Sequence, residues 1–365
     1  MIALIIILLS LILSIKNKSS IYWGNGIDAA FQISNKPSDT RLYYTAFTTG
    51  FDKISDYMFY QYPYFLKLIC FPFNNSLFGT LSQAALVFLL LDLLVKDKRH
   101  LLLFISSHAL IYTLTNFFKD NLIIIIGLIT ILALRYYKNL IIQILIAVLS
   151  ILLIGMVRPF FYMFLPFTIF PLYPYVKSKR SKKILIIVAL LILLILLVVN
   201  WGLVMFIASS WDTVASVQDE KSSPPVALIK VFLGPGPRHY LFHDSYFEQP
   251  FLDEQGCFFY FMHIVYYVVF SYVVVNVIQE RKNIFNIFEL KSDQIYMLLN
   301  SLTQLVIYVI AYGSAEIRQR AIIILFLYLY IEPFLKDIFF RKVDLSLFIL
   351  FCMCFFFLSI ITLVA

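Results

Sequence analysis

Charge is what this chain has least of. Asp, Glu, Lys and Arg make up 14% of its 365 residues, where a soluble domain carries about a quarter. With 61% hydrophobic residues and a mean hydropathy of +0.88, it has too few polar side chains to face water all round. A soluble globular protein is excluded, and an all-α polytopic membrane protein is expected. Cysteine is equally sparse. Cys70, Cys257, Cys352 and Cys354 form no C-x-x-C pair and have no histidine at ligand spacing, so neither a zinc site nor a disulfide framework is expected. No P-loop and no Gly-rich dinucleotide motif after a strand occurs, which points away from a nucleotide-bound substrate. No basic block with interleaved aromatics lies outside the short loops, so the net charge of +8 needs no nucleic-acid partner. Neither an internal repeat nor a linker is present, and residues 1–365 read as a single domain.

The chain does have long apolar runs. They begin near residues 1, 76, 101, 121, 140, 160, 184, 257, 295, 321 and 345, giving about eleven transmembrane helices. The connections at 96–99, 135–138, 177–183, 281–291 and 336–342 hold 16 of the 29 Lys and Arg, which assigns them to the cytoplasm. The alternate connections then face outward: 16–75, 118–121, 158–159, 210–256 and 316–320. The run at 1–15 lacks a small-x-small cleavage pattern and reads as a retained first span. Lys16 and Lys18 argue for the other orientation, in which 57–73 would cross the membrane. Pro63, Lys67 and Pro72 in that stretch favour a surface-lying or re-entrant segment instead. Loops 16–75 and 210–256 are long enough to form part of a site, and their aromatic residues argue for folded structure.

Six cations fall on the face that Lys and Arg normally avoid: Arg41, Lys119, Arg158, Arg238, Arg318 and Arg320. Their convergence would make a seat for a polyanionic head group, with lipid pyrophosphate the candidate. Arg318 and Arg320 can grip different oxygens of one pyrophosphate, or can be interfacial arginines whose charge reaches the head groups. Arg158 precedes Pro159, which breaks the helix and frees backbone groups beside the guanidinium; otherwise it is an ordinary turn arginine. Lys119 can contact phosphate, while Asp120 either orients it or caps the next helix.

Two groups are candidates for proton transfer. Asp39, ahead of Tyr43-Tyr44, is the carboxylate best placed to activate an acceptor hydroxyl, unless it only forms the turn at 37–40. His239 follows Gly234-Pro235-Gly236-Pro237-Arg238, a rigid turn that fixes Arg238 and His239, although a lone loop histidine is often merely solvated. His243 and Asp244 make only a weak metal cluster, and neither a metal nor a cofactor is expected. His108, Asn200, His263 and Asn300 are polar positions inside spans, scattered along the chain, and give little support to a transport path.

Taken together, the spans, the Asp before paired tyrosines, the Lys-Asp turn, the mid-chain Arg-Pro, the Gly/Pro-rich outer loop and the late Arg-x-Arg resemble Wzy-type polymerases of O-antigen or capsule repeat units. The Asp-x-Asp or Glu-x-Asp pair of metal-dependent relatives is missing from the first loop. The resemblance implies a bacterial inner-membrane glycosyltransferase with its site facing the periplasm. It would pass a glycan from undecaprenyl pyrophosphate to a lipid-linked repeat unit and release undecaprenyl pyrophosphate. It also implies membrane lipids, a flippase and a chain-length regulator as partners. An O-antigen ligase, a transferase using polyprenyl-phosphate sugars and a flippase of lipid-linked oligosaccharides remain alternatives.

Overall fold

Every apolar run from residue 76 onward is helical in the computed structural model. It describes residues 5, 6, 9, 61–71, 76–115, 118–199, 224–233, 254–284, 286–306, 317–335 and 344–364. The α-helices are α1 (Gln61–Cys70), α2 (Ser76–Leu94), α3 (Leu101–Ile105), α4 (His108–Thr115), α5 (Asp120–Tyr136), α6 (Leu140–Val157), α7 (Lys179–Val199), α8 (Pro224–Leu233), α9 (Glu254–Gln279), α10 (Arg281–Ile284), α11 (Ser292–Val306), α12 (Ile317–Ile331) and α13 (Leu345–Val364). No strand occurs among the described residues. Leu140–Val157 and Tyr260–Gln279 are each long and apolar enough to cross a membrane, and α4 with α5, bent by 113°, make a third span if taken as one. The full set of eleven crossings belongs to the proposal below.

Two runs depart from a plain α-helix for local reasons. The run near 101 is broken after α3, where the Ser106 hydroxyl donates to the Leu103 carbonyl and the Ser107 hydroxyl accepts from the Leu110 N–H at the start of α4. The run near 160 is a 3₁₀ helix over Pro159–Tyr175. Pro159, Pro166, Pro171 and Pro174 each lack the N–H that an α-helical ladder requires. At about 2.0 Å rise per residue this segment reaches about 34 Å, close to the thickness of a hydrocarbon core. In the first loop, α1 is helical as expected for the aromatic stretch before residue 73. Its ten residues are too short to cross a membrane alone, at about 1.5 Å per residue.

The middle of the bundle is α12. Residues 319–326 and 328–331 are all buried, which is the pattern of a helix surrounded on every side. It packs on α4, α5, α8 and α11. Its charges oppose its own dipole, with Arg318 and Arg320 in the first turn and Glu332 directly after the last. Helix α5 has the favourable order, Asp120 first and Arg135 last.

The connections sort to two ends of the helices, as charge bias led one to expect. At one end Arg135 contacts Asp293 and the Leu94 carbonyl, Tyr175 donates to the Lys138 carbonyl, Lys182 donates to the Phe288 carbonyl, and Glu332 accepts from Lys96. At the other end lie Lys119, Arg158 and Arg318. The length of α5, about 26 Å, separates the two sets.

Close approach of α5 and α12 depends on Gly127. A Cβ at this position would lie 2.2 Å from Cζ of Phe326, a ring with no exposed surface. Gly127→Ala is therefore expected to push α12 away from α5 and to cost about 1–3 kcal/mol, read as loss of thermal stability in detergent. Gly155 meets Tyr162 at 2.4 Å, but that ring is exposed and can swing aside, so Gly155→Ala should be milder.

Candidate anion-binding site

Lys119 and Asp120 end the break between α4 and α5. Asp120 is the first residue of α5 and has no exposed surface. A buried carboxylate needs partners, and this one takes them from two remote parts of the chain. Arg158, where α6 stops before Pro159, donates from Nη2 to Asp120 Oδ1 at 2.7 Å. Arg318, in the first turn of α12, places Nε 3.7 Å from Asp120 Oδ2. Its guanidinium also lies over the Phe118 ring, 5.1 Å from the centroid, which fixes the plane of the fork. Lys119 adds its charge to the field at Asp120. Pro159 does end α6 beside the guanidinium, as the sequence suggested.

Three cations facing one carboxylate leave an excess of positive charge. The Arg158 and Arg318 side chains are 14% and 15% exposed, so both remain within reach of a ligand. The N-termini of α5 and α12 meet here as well, and both add positive potential. This arrangement is chemically suited to an anion with several oxygens. Its donors are rigid, permanently charged and held in a setting of low dielectric.

A second layer holds the break in place. Tyr62 of α1 donates to Gln83 Oε1 at 2.6 Å, and Gln83 Nε2 donates to the Leu114 carbonyl at 2.7 Å. Asn121 Nδ2 reaches the Thr113 carbonyl at 3.0 Å and the Tyr62 hydroxyl at 3.5 Å. Burial pushes the Tyr62 phenol well above its ordinary value, so it stays a neutral donor. The network ties α1, and with it the end of the first long loop, to the residue next to Asp120.

Arg320 does not join this group. Two residues along an α-helix turn through about 200°, so Arg320 leaves the opposite side of α12 and lies in the field of Tyr266 on α9. Arg158 and Arg318 are the pair that share a partner, rather than Arg318 and Arg320. Near Tyr266 the structure also brings together two histidines that the sequence left scattered. The rings of His108 and His263 are 4.3 Å apart, with Tyr266 5.0 Å from His108 and Tyr267 4.4 Å from His263. Both are buried, and the scattered reading is corrected for this pair. The hydroxyls of Tyr266 and Tyr267 donate to the carbonyls of Phe232 and Leu233, the last two residues of α8. That part of the second long loop is folded, as its aromatics implied. Among the described residues no group of three metal-ligating side chains occurs.

Asp39, Arg41, Arg238 and His239 lie outside the described residues. So do the weak metal candidates His243 and Asp244. Sequence reasoning missed Asp120 as the shared partner of two arginines. The available signal was three polar residues in a row, Lys119-Asp120-Asn121, between two apolar runs, where each is costly without a partner.

No protein-family model matches the chain, and neither a curated protein nor a solved structure matches it.

Proposed function

We propose that this chain is a membrane glycosyltransferase of the O-antigen or capsule polymerase type, acting on undecaprenyl-pyrophosphate-linked glycans at the periplasmic face of the inner membrane. The observation that carries the reading is the meeting of Lys119, Arg158 and Arg318 at buried Asp120. In the reaction the acceptor hydroxyl of a lipid-linked repeat unit attacks the anomeric carbon of the growing glycan. The bond from that carbon to the pyrophosphate oxygen breaks, and its electron pair leaves with undecaprenyl pyrophosphate. The two guanidinium groups, Lys119 and the two helix N-termini stabilise the charge that develops on the leaving group. Asp39 or His239 takes the acceptor proton. Arg41, Arg238 and Arg320 are further phosphate contacts in this reading. A flippase that supplies repeat units and a chain-length regulator are its partners.

The His108–His263 pair favours a second reading, transport of the same lipid-linked sugars, because buried ionisable groups can line a path. One experiment separates the possibilities. A deletion strain complemented with Arg318→Gln is expected to carry single repeat units in place of a ladder, with in vitro transfer reduced by about a hundredfold or more. Loss of every attached unit would mark a ligase. Repeat units trapped on the cytoplasmic side would mark a transporter. An unchanged ladder would remove the diphosphate role.

A further inference from the structure

A site made only of cations would hold a diphosphate too long. Product release limits many enzymes, and binding that is equally strong before and after reaction does not raise turnover. The carboxylate already inside the cluster bears on this problem. Asp120 is fully buried, yet it accepts a single hydrogen bond, from Arg158 Nη2 to Oδ1. Its Oδ2 accepts none and sits 3.7 Å from Arg318 Nε. A carboxylate can accept about four hydrogen bonds and can lock an arginine with two parallel ones. Here it does neither. It does not cap its own helix, since the position before it is Lys119, whose side chain makes no capping bond. What it does is hold two arginines from different elements on one point while leaving most of their donors uncommitted.

We propose that Asp120 is a built-in competitor anion: it positions Arg158 and Arg318 and lowers their affinity for diphosphate so that the product can leave. The inference rests on the diphosphate reading and adds the device that sets affinity. One negative charge in contact with two guanidinium groups offsets a large part of the attraction that they exert on an incoming anion. Removing the charge but keeping the shape should strengthen binding and slow turnover. Loss of a merely structural partner would loosen the arginines and weaken binding. The two roles therefore predict opposite signs.

The test uses the full chain in lipid nanodiscs, inorganic pyrophosphate as probe, and calorimetric binding beside a turnover assay with lipid-linked repeat units. Asp120→Asn is expected to bind pyrophosphate about tenfold tighter or more, with kcat and KM both reduced. Asp120→Glu, which keeps the charge, should stay near the wild type in affinity. Asp120→Ser also removes the charge and keeps a hydroxyl suited to a helix start, so it serves as a second neutral variant. Equal or weaker binding in folded neutral variants overturns the inference while leaving the diphosphate site standing. No pyrophosphate binding by the wild type or any variant overturns the site and the inference together. Failure of both neutral variants to fold makes the pairing structural and overturns the inference.

Discussion

Arg158→Ala is expected to abolish long-chain glycan and also to destabilise the protein by about 3–5 kcal/mol, the usual cost of stranding a buried charge. The two losses have separate causes. Stability falls because Asp120, with no exposed surface, loses its one hydrogen bond and keeps only Arg318 at 3.7 Å. Activity falls because one of the two fixed forks aimed at the leaving group is gone. Adding Asp120→Asn to Arg158→Ala should separate them. The double variant recovers most of the stability, because no buried charge is left unmatched, and recovers none of the transfer. Unfolding in mild detergent and the glycan ladder are the two readouts. Equal additivity in both would mean that the residues do not interact.

Glu332→Ala is the second large effect, at the opposite end of α12. Glu332 is 2% exposed, and its Oε1 accepts from the Lys96 N–H at 3.1 Å and the Asp97 N–H at 3.4 Å. The same oxygen lies 2.9 Å from His100 Nδ1, on a side chain 6% exposed. Alanine would leave buried backbone donors and an imidazole without that acceptor, at a cost of about 3–5 kcal/mol. Glu332→Gln retains an acceptor oxygen and should cost clearly less. Activity per folded molecule should be unchanged in Glu332→Gln, since Glu332 and Arg318 stand at opposite ends of α12.

Much of the fold was legible because membrane helices are written in composition: an apolar run of spanning length has few other ways to satisfy its backbone. The two ends of the bundle were legible from charge bias, and Pro159 announced the end of α6. What sequence could not supply were pairings across long separations. Lys119, Arg158 and Arg318 could be listed as cations on one side, but only the packing of α5, α6 and α12 brings them to one carboxylate. Arg318 and Arg320 read as a pair because they are close in sequence, yet helix geometry sends them to opposite sides. His108 and His263 looked scattered because nothing local in either helix refers to the other. The 3₁₀ path of 159–175 was hinted at by its four prolines, whereas the polar tie from Tyr62 through Gln83 to Leu114 had no local signal at all.

The central claim is that Arg158 and Arg318 together receive a lipid diphosphate. Its most direct test is a cryo-electron microscopy structure of the full chain in nanodiscs with undecaprenyl pyrophosphate added. The diphosphate should lie within hydrogen-bond distance of both guanidinium groups, with Lys119 beside it. A diphosphate bound elsewhere, or one touching Arg320 but neither Arg158 nor Arg318, would contradict the account.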